Sequence, residues 1–81
     1  MDEIRKAFGK RVRCLRLRRG LTQEMLAWEV DLSPEMISNI ERGRHAPDFS
    51  RLGLFAGALG VAIEELFRFP IGTQVADGEN E

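Results

Sequence analysis

Apolar residues recur along this chain with helical rather than strand period. Ile4, Phe8, Val12 and Leu15 fall at steps of four, four and three, which draws one stripe along a first helix. Asp2 and Glu3 suit its N-terminal end, Arg18 and Arg19 suit its C-terminal end, and Gly20 stands where a left-handed residue stops it. Thr22 can cap a second helix, Gln23 to Val30, whose Leu26, Ala27 and Val30 face inward. Asp31 and Leu32 then form a tight connection. Ser33, Pro34 and Glu35 follow as N-cap, first and second residues of a third helix that runs to about Glu41.

Gly43 and Pro47 make a loop of the segment from Arg42 to Pro47, because proline disfavours helix at the residue before it. Asp48 caps a fourth helix with Leu52, Phe55 and Leu59 as its stripe and Gly60 as its stop. Gly53 and Gly57 in its interior are expected to let another helix approach closely. A short fifth helix, about Ala62 to Phe67, brings Ile63, Leu66 and Phe67 to the core or an interface. The pattern predicts an all-α, compact five-helix domain over residues 1–69, followed by an acidic tail, 70–81, for which disorder is the default.

With 81 residues, 43% of them hydrophobic, the chain closes one core and leaves no room for a second. The longest apolar stretch, Leu52 to Leu66, is broken by glycines and acids and falls short of the ~20 residues of a bilayer span. No signal peptide or lipidation signal is visible. Cys14 is alone and forms no internal disulfide, so the natural reading is a cytoplasmic protein in a reducing compartment. The formal charge of −1 excludes a polybasic coat for nucleic acid, yet the sign alternates along the chain. Residues 1–20 hold eight basic and two acidic groups, whereas residues 21–41 hold five acidic and none basic.

Leu21-Thr22-Gln23-Glu24-Met25-Leu26-Ala27, Ile37-Ser38-Asn39-Ile40-Glu41-Arg42-Gly43, Pro47 and Ala58-Leu59-Gly60-Val61 together resemble the XRE-type family of phage-repressor-like helix-turn-helix proteins. The resemblance spans about Phe8 to Phe67, with the helix-turn-helix proper at about 22–41. It implies double-stranded DNA as partner and a recognition helix presenting Ser33, Pro34, Glu35, Ser38, Asn39 and Arg42 to the major groove, with Met36 at its edge. Asn39 can contact adenine bidentately, Glu35 can accept from cytosine N4, and Met36 can touch a thymine methyl; the alternative is plain solvated surface, or for Met36 inward packing. The start of the second helix, with Thr22 and Gln23, and the loop residues Arg42 and Arg44 suit phosphates. His45 could join them. Arg16 and Glu41 match a family ion pair that ties the first helix to the end of the third.

The resemblance also marks departures. Asp31 stands at a turn position usually given to glycine, and Ala62 replaces a usual Ser or Thr cap. A reading head this small covers few base pairs, so a homodimer on half-sites about 34 Å apart is the expected solution. Val61, Ile63, Leu66, Phe67 and Phe69 are the candidate dimer interface, with Phe69 as its best-exposed anchor. A second function class is an antitoxin or protein-interaction module that holds a protein partner through Trp28, Met25 and the acidic face. An enzyme is the weakest reading: Glu64 and Glu65 are adjacent on a helix and point apart, Cys14 and His45 lie on separate elements, and neither a metal nor a cofactor is implied.

Overall fold

The computed structural model describes residues 2–70 and contains four α-helices and a terminal 3-10 helix. They are α1 (Asp2–Arg18), α2 (Gln23–Val30), α3 (Pro34–Glu41) and α4 (Phe49–Leu59), with the 3-10 helix at Ile63–Phe67. The expected tail, 70–81, lies outside the described residues except for Pro70. Helix α3 packs between α1 and α2, α2 rests on α4, and the 3-10 helix closes over α1 and α4. Their shared interior holds Phe8, Val12, Leu15, Leu26, Ala27, Val30, Ile37, Ile40, Phe55, Ala56, Leu59 and Leu66. Each of the larger side chains contributes roughly 1.5–3 kcal/mol through burial.

The predicted bounds of α2 and α3 hold because both helix starts are capped locally. Thr22 Oγ1 accepts from the Met25 N–H at 3.0 Å, and Ser33 Oγ accepts from the Met36 N–H at 3.0 Å. Asp48 occupies the same position before α4, but its carboxylate makes no cap bond and accepts instead from the Ser50 hydroxyl at 2.9 Å. All four α-helices end alike. A backbone N–H reaches back five residues at Leu21→Arg16, Leu32→Ala27, Arg44→Asn39 and Val61→Ala56, each 2.9–3.0 Å long. The residue before each donor is left-handed, a glycine three times and Asp31 (φ 59°) once.

The expected fifth α-helix is a 3-10 helix instead. Ala62 gives it no side-chain cap, and five residues before Phe69-Pro70 are too few to nucleate an α-helix. The Glu65 carbonyl, which an α-helix would have offered to Phe69, accepts from Arg11 Nε at 2.8 Å. Arg11 also pairs with the Glu65 carboxylate at 3.2 Å, so α1 clamps the 3-10 helix directly.

The glycine expectation is also corrected. Gly53 and Gly57 face open space, with nothing within 4 Å of a side-chain carbon built on either. The close approach occurs at Gly9, where such a carbon would run into the Ile40 carbonyl oxygen and come 2.8 Å from that of Glu41. Helix α1 therefore lies directly on the last turn of α3. Gly9→Ala must push those helices apart and is expected to lower the unfolding midpoint by more than ~5 °C in a calorimetric scan. Gly53→Ala and Gly57→Ala, by contrast, should each stabilise by about 0.5–1 kcal/mol, because alanine is the better helix former in open space.

Candidate nucleic-acid interface

Ile37, Ile40 and Glu41 turn into the molecule from α3, and Met36 packs partly against the same core. That packing leaves only part of the Met36 side chain for an outside contact. Helical period sends Glu35, Asn39 and Arg42 the other way, with Ser38 and Met36 on the flanks and Ser33 and Pro34 at the start of the helix. Ser33, Pro34, Glu35 and Arg42 are exposed, while Ser38 and Asn39 are half-buried. Among the described residues the Asn39 side chain makes no hydrogen bond and Glu35 makes no ion pair. Apart from Ser33, whose hydroxyl caps the helix, the side chains of this row make no hydrogen bond or ion pair among the described residues, and the helix is held from behind.

The helix is fixed in place by one buried carboxylate. Arg16 reaches Glu41 bidentately, Nε to Oε2 at 2.6 Å and Nη2 to Oε1 at 3.0 Å, with side-chain exposures of 8% and 2%. Arg16 Nη1 donates to the Leu21 carbonyl at 2.8 Å, and Gln23 Nε2 donates to Glu41 Oε1 at 3.1 Å. The C-terminal ends of α1 and α3 and the first residue of α2 are thereby tied together. Gln23, placed among the phosphate contacts by sequence, thus has its amide engaged inside. Its backbone N–H and that of Glu24 remain among the first-turn donors that a helix cannot satisfy internally.

The turn between α2 and α3 has a brace that the sequence did not reveal. Arg51, on α4, donates from Nε to the Val30 carbonyl at 3.1 Å and from Nη2 to the Asp31 carbonyl at 3.4 Å. A guanidinium at the end of α2 satisfies carbonyls left over by the helix and offsets its negative pole. Nothing in the spacing of Arg51 points to residues twenty positions upstream. Arg42 and Arg44 are exposed in the loop after α3, as is His45.

The candidate dimer residues divide. Ile63 and Phe67 are 47% and 44% exposed, Val61 and Phe69 are partly buried against the core, and Leu66 is fully buried. Phe69 is not the exposed anchor: it returns toward the domain beside Phe67, ring centroids 6.4 Å apart, while Phe67 in turn contacts Phe8 at 5.2 Å. Phe49 was overlooked because it sits in register with the α4 stripe, but at the first residue of that helix it lies beyond the core and is 91% exposed. With Ile4, Phe8, Pro47, Leu52 and Phe67 it lines an apolar cavity of ≈ 340 Å³. Trp28 is 86% exposed and lines a shallow depression with Leu21, Glu24, Met25 and Glu29. Cys14 is free and half-buried. Among the described residues no group of three or more His, Cys, Asp or Glu could hold a metal ion, and no helix is long and apolar enough to cross a membrane.

Two short helices joined through residues 31–33, the second presented outward and braced from behind, make a helix-turn-helix unit. A helix-turn-helix family profile matches residues 12–66, and the chain belongs to that family, the XRE-type regulators, which is not an enzyme family. Its relatives include the control protein C.BamHI of Bacillus amyloliquefaciens, 39% identical over 69 residues, 84% of this chain and 85% of that protein. The immunity repressor protein of Bacillus phage phi105 is 40% identical over 58 residues, and there the match covers 72% of this chain but only 40% of the repressor. Among solved structures, the restriction-modification controller protein C.AhdI from Aeromonas hydrophila superposes with a TM-score of 0.73 at 35% identity, across 76% of this chain and 94% of that one.

The buried pair makes a sharp stability test. Glu41→Ala leaves Arg16 and Gln23 without their acceptor and is expected to cost about 3 kcal/mol, since a lone buried charge is the expensive species. In thermal unfolding that loss is a fall of more than ~10 °C for a domain of this size. Replacing both partners, Arg16→Met with Glu41→Leu, should recover a large part of it. A double variant no more stable than Glu41→Ala would show that the attraction itself, rather than the relief of an unpaired charge, governs the site.

Proposed function

We propose that this protein is a sequence-specific double-stranded DNA-binding transcription regulator that occupies a palindromic operator as a homodimer, with α3 in the major groove. The observation that carries the reading is the unpartnered face of α3, opposite the buried Ile37, Ile40 and Glu41. Asn39, with its side-chain amide free, reads adenine through N6 and N7; Glu35 accepts from cytosine N4; Ser33, Ser38 and the outer part of Met36 complete the face. The first turn of α2, at Thr22 and Gln23, and the exposed Arg42 and Arg44 take the phosphates that set register. Relatives at 39% and 35% identity that are control or controller proteins, and one at 40% that is an immunity repressor, support regulation of transcription.

Exposed apolar surface at Ile63 and Phe67, continued by Phe49 and Ile4 around the cavity, supports the homodimer. A second reading, a module that holds a protein partner, is favoured by one observation, the exposed Trp28 among Met25, Leu21 and two glutamates. A partner held there would survive salt that strips a protein from DNA.

Selecting sites from a random duplex pool at about 50 and 200 mM salt tests the regulator reading. The expected product is a palindrome in which Asn39→Ala relaxes one base position of each half-site, losing about 1–3 kcal/mol of discrimination there. No motif at either salt would remove the DNA reading and leave the protein-partner one. For the dimer, Ile63→Glu and Phe49→Ser change exposed side chains and should raise the monomer–dimer dissociation constant at least tenfold in sedimentation equilibrium, about 1.4 kcal/mol. An unchanged constant in both would place the two-fold contact elsewhere.

A further inference from the structure

Helix α1 carries more positive charge than the core or the ion pairs use. Lys6, Lys10 and Arg13 stand at i, i+4 and i+7, all exposed, and none has an ion pair among the described residues. By contrast, Arg11 and Arg16 on the same helix are engaged with Glu65 and Glu41. At 3.6 residues per turn, Arg13 lies about 40° around the helix from Gly9, which rests on the end of α3. The stripe therefore borders the α1–α3 seam on its solvent side. A second contact fixes its other end: a side-chain carbon at Gly43 would lie 2.8 Å from Lys6 Cα, so α1 crosses the loop between Arg42 and Arg44.

We propose that Lys6, Lys10 and Arg13 bind the sugar-phosphate backbone of DNA outside the half-site, prolonging the phosphate track begun by Arg42 and Arg44. The inference rests on the regulator reading above and deepens it, by giving the interface a rim that touches no base. Lys6 and Arg13 are about 10 Å apart along the helix axis, a span long enough to reach more than one phosphate of a strand. Charge complementarity selects the occupant: three unpaired cations in a row, continuous with two more at the end of the reading helix, face the most regular polyanion available to this fold. The tie to α3 matters as much as the charge. Because Gly9 and the Arg16–Glu41 pair lock α1 to α3, a phosphate held by the stripe also fixes the angle at which α3 enters the groove.

Lys6→Gln, Lys10→Gln and Arg13→Gln combined test it, in the full chain, with the selected palindrome as probe and circular dichroism to verify folding. A fall of about 0.9 per lost contact is expected in the slope of log affinity against log salt, so that the total approaches 2–3 per protomer. The selected motif should stay unchanged. A control that removes the same charge elsewhere, Arg18→Gln with Arg19→Gln and Arg68→Gln, should alter the slope far less. An unaltered slope in the stripe variant, or an equal change in the control, overturns the proposal while the regulator reading stands. If the unmodified chain itself selects no motif, the regulator reading fails and takes this inference with it.

Discussion

A carboxylate inside the core, Glu41, holds three helix ends at once. It closes the last turn of α3, accepts two hydrogen bonds from Arg16 of α1 and one from Gln23 at the start of α2. Arg16 carries the connection further by binding the Leu21 carbonyl in the intervening loop. A pair this buried is a weak stabiliser in net terms, because desolvation offsets most of its attraction. Its effect is geometric. A hydrophobic contact would tolerate rotation of α3 about its axis, but a forked guanidinium on a carboxylate admits one orientation. Every side chain on the outer face of α3 takes its direction from that constraint.

The turn supplies the second constraint. Leu32 N–H reaches back to the Ala27 carbonyl at 3.0 Å, which requires Asp31 to adopt the left-handed conformation. That conformation costs an ordinary residue roughly 1–2 kcal/mol, and less for aspartate, whose short polar side chain is better tolerated there. The remaining strain is opposed from outside the motif, where Arg51 holds the carbonyls of Val30 and Asp31. Helix α4 thus does more than cover the core; it fixes the exit of α2, as α1 fixes the exit of α3.

Local chemistry was legible in the sequence and tertiary chemistry was not. Thr22, Ser33, the stops at Gly20 and Gly60 and the apolar stripes depend on neighbours within five residues, so α1 to α4 could be placed from the chain alone. The pairing of Arg16 with Glu41 came from family resemblance, since no spacing rule joins residues on separate helices. Arg11 and Arg51 had no such precedent, and each binds a carbonyl more than twenty positions away. Gly9 was overshadowed by Gly53 and Gly57, although glycine beside a buried stripe is as good a signal as glycine within one. The 3-10 helix was mistaken for an α-helix because periodicity over five residues does not separate the two. Phe69 was misjudged for a different reason: lying outside a helix does not expose a side chain when a ring at Phe67 is there to receive it.

The acidic block from residue 21 to residue 41 looks at first incompatible with a phosphate surface, and the fold resolves most of it. Glu41 is buried in its ion pair, Glu24 and Glu29 flank Trp28 on the outer side of α2, and Asp31 sits in the turn. Only Glu35 remains on the face proposed to enter the groove. The cations meanwhile collect at the rim, in the loop after α3 and along α1. Such a division separates two tasks that a uniformly basic helix would merge. Rim cations attract any duplex, and their contribution falls with salt regardless of sequence. A groove face carrying an amide, two hydroxyls and one carboxylate adds little attraction of its own, and its carboxylate is repelled wherever no cytosine amine is there to meet it. Affinity and discrimination would then rest on different residues, held in register by a buried carboxylate that touches no DNA at all.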